Sequence, residues 1–231
     1  MFLVFDTETT GLPKRWDAPI SDHENWPRCI QIAWQLHDNF GSCIEHKDFI
    51  VGPDGFDIPY ESEQIHGIST ALAIKRGSNI NSILADFNVA LAKSKYIIGH
   101  NVKFDVNIIG AELDRLGLDT SITALPILDT CTEYTATLCQ IPGGRGGKFK
   151  LPTLSELYKH LFDDRFSQAH NATADVEATA RTFFELLRQN KFPVNQIIDG
   201  ELLVSRINEN FEMAVPLIGL SHKNLKAASA T

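Results

Sequence analysis

Asp6 and Glu8 stand two residues apart in Asp6-Thr7-Glu8-Thr9-Thr10-Gly11, directly after the apolar run Phe2 to Phe5. In a strand, residues i and i+2 share a face about 6–7 Å apart, so the two carboxylates project together while Thr7 faces the other way. Acids that close repel unless a cation lies between them, and hard divalent ions such as Mg²⁺ and Mn²⁺ favour oxygen ligands. Spacing alone is weak, because four Asp-x-Glu triplets occur, beginning at Asp6, Asp22, Asp175 and Asp199. Only the first follows a buried-strand pattern. The bland alternative is a solvated strand end with turn-forming acids.

Asp105 and Asp175 have similar settings. Asp105 opens a helix after Gly99-His100-Asn101, where an acid also favours the helix dipole by about 0.3–1 kcal/mol. Each of these acids follows a histidine by five positions, His100 and His170 respectively. Five helical steps turn about 140°, so His170 must sit in the loop or first turn if it lines one cleft with Asp175. Asn171 and Thr173 offer caps for that helix start. Spacing does not choose between His100 and His170, and a lone histidine in such a place is more often a surface or capping residue. Taken together, four acids and a histidine fall at strand or helix ends, where open sheets place their sites.

The elements that must hold these residues can be read from periodicity. After the strand at Phe2 to Phe5 comes a turn at Gly11-Leu12-Pro13 and a Pro- and Trp-containing excursion over 13–27. Strands follow at Cys29 to Leu36 and Ile44 to Val51, joined by a turn near Asn39-Phe40-Gly41. Helical spacing marks Asn79 to Leu91, Lys103 to Leu116 and Ala172 to Gln189, with short strands at Tyr96 to Ile98 and Ile127 to Asp129. Thr153-Leu154-Ser155-Glu156 is a capping-box pattern. Strands first, then strands alternating with helices, predict an α/β protein with a mixed sheet and helices on its faces. Residues 1–190 form the expected main domain, and 191–231 a partly ordered C-terminal extension.

Composition narrows the class further. At 231 residues, 43% hydrophobic and 22% charged, the chain is globular rather than disordered or coiled coil. Four cysteines, Cys29, Cys43, Cys131 and Cys139, form no C-x-x-C pair, which points away from structural zinc and towards a reducing cytosol. The five-residue apolar run at the N-terminus is neither signal peptide nor membrane span. The expected location is cytoplasmic, without membrane association. A net charge of −8 argues against coating nucleic acid electrostatically, but not against an enzyme whose acids are neutralised by cations.

In order, Asp6-Thr7-Glu8-Thr9-Thr10-Gly11, His100-Asn101-x-x-Phe104-Asp105 and His170-x-x-x-x-Asp175 resemble the motifs of the DnaQ-like (DEDDh) 3′→5′ exonucleases. That family includes the proofreading subunit of bacterial replicative DNA polymerase. Ile65-His66-Gly67-Ile68-Ser69 is similar to a further family segment that contacts the terminal nucleotide. The resemblance implies an RNase H-like mixed β-sheet flanked by helices. It also implies a hydrolase that releases nucleoside 5′-monophosphates from single-stranded DNA 3′ ends with two divalent cations, Mg²⁺ or Mn²⁺. By the same resemblance, Asp6, Glu8 and Asp175 hold the first cation, Asp6 bridges to the second, and Asp105 acts there directly or through water. His170 becomes the general base, and Thr9, Leu12, Ile65, His66 and Phe104 match positions that contact the terminal nucleotide.

Two segments depart from the compact family pattern. The excursion at 13–27, with Lys14, Arg15, Trp16 and Trp26, reads as cover for the sheet edge in preference to a substrate contact. The stretch Ile141 to Lys150 is not a P-loop, since Pro142 occupies the first glycine position and Phe149 replaces Ser/Thr. It reads either as a basic loop touching phosphates or as a solvated connector. Rival functions are a 3′→5′ exoribonuclease of the same fold and a non-catalytic module binding nucleic acid or a polymerase. A structural calcium site is disfavoured by ligands spread over most of the chain. A DNA polymerase subunit is among the partners the resemblance offers, although no clamp-binding peptide is evident around Gln196-Ile197-Ile198.

Overall fold

The computed structural model describes residues 1–164, 166 and 171–209. One mixed sheet runs in the order β3-β2-β1-β4-β5. β1 (Phe2–Thr9), β2 (Cys29–His37) and β3 (Cys43–Ile50) form an antiparallel meander, and β4 (Tyr96–Gly99) and β5 (Ile127–Asp129) extend it in parallel from β1. The apolar pattern stops at Phe5, yet β1 continues to Thr9 because β2 goes on pairing with it, Asp6 opposite Ala33 and Glu8 opposite Gln31. β4 pairs with β1 only over Phe2 to Val4. The last part of β1 therefore has an open edge on its β4 side.

Three helices follow the meander: α1 (Tyr60–His66), α2 (Thr70–Arg76) and α3 (Ile80–Lys93). α4 (Lys103–Arg115) joins β4 to β5. After β5 come α5 (Glu133–Cys139), α6 (Leu154–Phe162), α7 (Ala172–Arg188) and α8 (Gly200–Glu209). α1, α2 and α5 escape a reading by periodicity because seven residues make only two turns. Phe192, Ile197, Leu203, Val204 and Ile207 carry the segment after α7 back into the core.

Strand alternation divides the sheet into two packed faces. Leu3, Phe5, Trp34 and Ile97 pack with Phe87 of α3 and Val106 and Ile109 of α4. On the other face Phe2, Val4, Ala33 and Ile98 meet Val176, Ala180, Phe183 and Leu187 of α7. Thr7 thus belongs to the α4 face, and Asp6 and Glu8 to the α7 face.

The excursion over 13–27 is tied to α4. Trp26 is buried and its indole N–H donates to the Pro19 carbonyl at 3.0 Å. The Arg115 guanidinium donates to the carbonyls of His23 and Trp26, at 2.9 and 2.6 Å. Buried Glu112 pairs with Arg28 at 2.9 Å and accepts from the Cys29 backbone N–H. Covering therefore accounts for Trp26 and for Ile20, which packs against the α4-side core, but not for Trp16, which stays 57% exposed.

Candidate active site

The polar end of β1 points Asp6 and Glu8 towards the start of α7. One carboxylate oxygen from each of Asp6, Glu8 and Asp175 lies within 4.8 Å of the others. Asp175 reaches this place because α7 begins sharply. The Asn171 side chain accepts from the backbone N–H groups of Thr173 and Ala174, at 3.2 and 3.4 Å, so Asn171 rather than Thr173 is the cap. β2 steadies the same helix start. Gln31 accepts from the Ala172 N–H through Oε1 and donates through Nε2 to Asp48 at 2.8 Å.

Asp105 arrives from the opposite face. Its Oδ1 accepts from the Thr7 backbone N–H at 3.0 Å and from the Thr7 hydroxyl at 2.6 Å. That N–H belongs to the open edge of β1, where no β4 carbonyl competes for it. The turn before α4 is built for this approach. Gly99 leaves no room for a Cβ, which would fall 2.3 Å from that of Val102. Asn101 adopts a left-handed φ of 62°, tolerable for asparagine, and donates its N–H to Asp129. Asp105 lies outside the three-oxygen cluster, and Thr7 and Asp129 are contributors that the spacing of acids and histidines did not disclose.

The acids carry a strong mutual penalty. Burial first, then Asp105, Asp175 and Glu8, raise the Asp6 carboxyl well above its ordinary value. Burial, with Asp175 and Asp105 adding, pushes Glu8 up to about 8. Burial raises Asp105 to about 7 against the opposing Thr7 hydrogen bonds. Among the described residues, every charged neighbour acting on Asp6 and Glu8 is itself an acid. This donor set fits hard divalent cations.

A pH dependence follows for the cation-free protein. A carboxyl raised on folding makes the native state bind more protons than the unfolded one, so its stability contribution is lost as pH rises towards the folded value. His37 and His100, both lowered by burial to about 4 from 6.5, act with opposite sign below pH 6.5. Above pH 6.5 the N-terminal amine, lowered from 8.0 chiefly by burial, still opposes the acids in part. Between pH 6.5 and 8.5 in EDTA we expect stability to fall by about 2 kcal/mol, or roughly 4–8 °C of Tm. Millimolar Mn²⁺ should flatten the profile in the same melting assay, whereas a flat profile in EDTA would contradict the repulsion.

The two histidines now part. His100 faces the Pro152 carbonyl with Nε2 at 2.9 Å and the Thr130 hydroxyl with Nδ1 at 3.0 Å, so both ring nitrogens are engaged away from the acids. His170 lies outside the described residues. Thr9 donates its hydroxyl to the Gly11 carbonyl within its own turn. Leu12 and Ile65 are exposed apolar side chains, and Phe104, next to Asp105, packs at a tilt against the Trp16 ring. His66 accepts the Ile68 N–H at Nδ1, which leaves its buried Nε2 as an unpartnered donor beside the surface of α1. In the stretch 141–150, Lys148 and Lys150 pair with Glu133 and Glu156 at 2.6 and 2.7 Å.

Residues 3–183 match the RNase_T family, described as exonuclease. The chain belongs to this exonuclease family. The RNase_T chain is accordingly an exonuclease, and its five-stranded mixed sheet with flanking helices is the RNase H-like fold. It is 27% identical over 228 residues to DNA polymerase III subunit epsilon of Rickettsia conorii, covering 97% of this chain and 91% of that protein. It is 30% identical over 196 residues to the 3′-5′ exonuclease DinG of Bacillus subtilis, covering 83% of this chain and 18% of that one. Among solved structures it resembles E. coli exonuclease I in complex with a dA16 oligonucleotide, with TM-score 0.62 and 22% identity over 93% of this chain. It spans only 45% of the length of that exonuclease I chain. Exonuclease X in complex with 5′ overhanging duplex DNA matches with TM-score 0.55 and 19% identity, over 87% of this chain and 99% of that one. Among the described residues, no helix is long and apolar enough to cross a membrane.

Proposed function

We propose that this RNase_T exonuclease shortens single-stranded DNA from its 3′ end, releasing nucleoside 5′-monophosphates with two divalent cations, Mg²⁺ or Mn²⁺. The observation that carries the reading is the meeting of Asp6, Glu8 and Asp175 within 4.8 Å at the end of β1. These three would hold one cation, and Asp6 with Asp105, directly or through water, would hold a second. Bound there, the cations would neutralise phosphodiester charge and acidify a water. His170 would accept a proton from the water that attacks phosphorus while the bond to the preceding nucleotide's 3′-oxygen breaks. Thr7 keeps Asp105 turned to the site, and Gln31 with Asn171 keeps Asp175 in register. Thr9, Leu12, Ile65, His66 and Phe104 form the surface for the terminal nucleotide, with the orphaned Nε2–H of His66 available to an oxygen acceptor.

The family match over 3–183 supports an exonuclease domain over 1–190 with 191–231 as a C-terminal extension. Near full-length likeness to a DNA polymerase III subunit supports a DNA polymerase subunit as partner and the bacterial cytoplasm as compartment. The test is a time course on a 5′-labelled single-stranded DNA and its RNA twin, with Mg²⁺, Mn²⁺ or EDTA. A metal-dependent ladder shortening the DNA from its 3′ end is expected. Preferential shortening of the RNA would replace the substrate, and intact strands with folded protein and metal present would overturn the reading.

A further inference from the structure

Trp16 is the one feature of the 13–27 excursion that covering does not explain. Trp26 and Trp34 are buried, and their indole N–H groups are taken by the Pro19 carbonyl and by Glu45. Trp16 leaves 57% of its surface in solvent, forgoing much of the gain from burying a large apolar side chain. Its exposure does not come from a loose loop. Buried Asn25 clamps the adjoining residue from both sides, its Oδ1 accepting from the Arg15 N–H at 2.7 Å and its Nδ2 donating to the Arg15 carbonyl at 3.0 Å. The Lys14 N–H donates to the Asn25 backbone carbonyl at 3.3 Å. Arg115 fastens the far arm through the carbonyls of His23 and Trp26.

The held indole stands against Phe104, ring centroids 5.8 Å apart and tilted by 53°. Phe104 adjoins Asp105 at the start of α4, so Trp16 packs on the residue next to one of the acids. Lys14 and Arg15 precede Trp16 in sequence, with Arg15 reaching Asp22 at 3.5 Å, in a chain of net charge −8. A fixed aromatic plane is how proteins hold a single strand without reading its sequence. A flat ring in a loop clamped in advance also loses little entropy on binding.

We propose that Trp16 is a stacking platform for the base that precedes the 3′-terminal nucleotide. The inference rests on the single-strand exonuclease reading above and adds a second base subsite to it. Its test compares wild type, Trp16→Ala and Trp16→Phe on a dT15 oligomer and on thymidine 5′-(p-nitrophenyl phosphate), which has no preceding base, both with Mn²⁺. Trp16→Ala should raise KM for the oligomer about 10-fold more than for the one-nucleotide ester, and Trp16→Phe should recover most of it. With EDTA present, dT15 should quench the exposed indole of wild type and leave Trp16→Ala unchanged. Equal KM changes on both substrates, or no quench in wild type, would overturn the platform while the exonuclease stands. A wild type that cleaves the ester but not the oligomer would take down the DNA reading and this inference with it.

Discussion

Asp6→Asn is expected to stop hydrolysis while making the cation-free protein more stable. The carboxylate lies in the only described three-acid cluster, and its loss should lower kcat by roughly 10³-fold or more, as for other groups that stabilise transition-state charge. The same group is buried and surrounded by Asp105, Asp175 and Glu8. Replacing it with a neutral isostere relieves all three repulsions, so we expect about 1–2 kcal/mol of added stability in EDTA. For a chain of this size that is roughly 2–8 °C in Tm. Mn²⁺ should reverse the order by stabilising wild type through binding and the variant little. Gel ladders and melting curves on the same preparations suffice. A variant that melts below wild type in EDTA would show that the acids are not in conflict.

The second large effect separates the histidines. His170→Ala should slow hydrolysis about 10²–10⁴-fold, the usual contribution of a positioned general base. His100→Ala should instead cost about 1–3 kcal/mol of stability, because the Pro152 carbonyl and the Thr130 hydroxyl lose their partner. Rates of the folded variants across pH 5.5–8.5 decide the matter. Near-normal activity in His170→Ala, with activity lost in folded His100→Ala, would exchange their roles.

Much of this site was legible because strand geometry is strict. Period two puts Asp6 and Glu8 on one face and Thr7 on the other, and the structure has them so. The start of α7 was also readable, since Asn171 is a good cap, and that cap sets where Asp175 points. Partners that are distant in sequence left no trace. Nothing in a Thr at position 7 announces a bond to residue 105, and nothing in Gln31 announces a hold on Ala172. Both depend on which strand edge is left open and which helix lies over it. Trp16 and Trp26 show the same limit at the level of side chains. Two tryptophans in one excursion carry no label telling the buried one from the exposed one, and only the clamps of Asn25 and Arg115 make the distinction.

All five strands are complete by Asp129, yet the third acid of the cluster arrives on α7, which lies across β1 and β2. All strands of the sheet are therefore synthesised well before the acidic cluster can close. A chain grown to residue 150 carries Asp6, Glu8 and Asp105 but lacks the carboxylate that closes the cluster. On the two-cation reading, cutting power would arrive only with α7, and a chain without it would lack the third acid. Finishing the fold would then arm the enzyme.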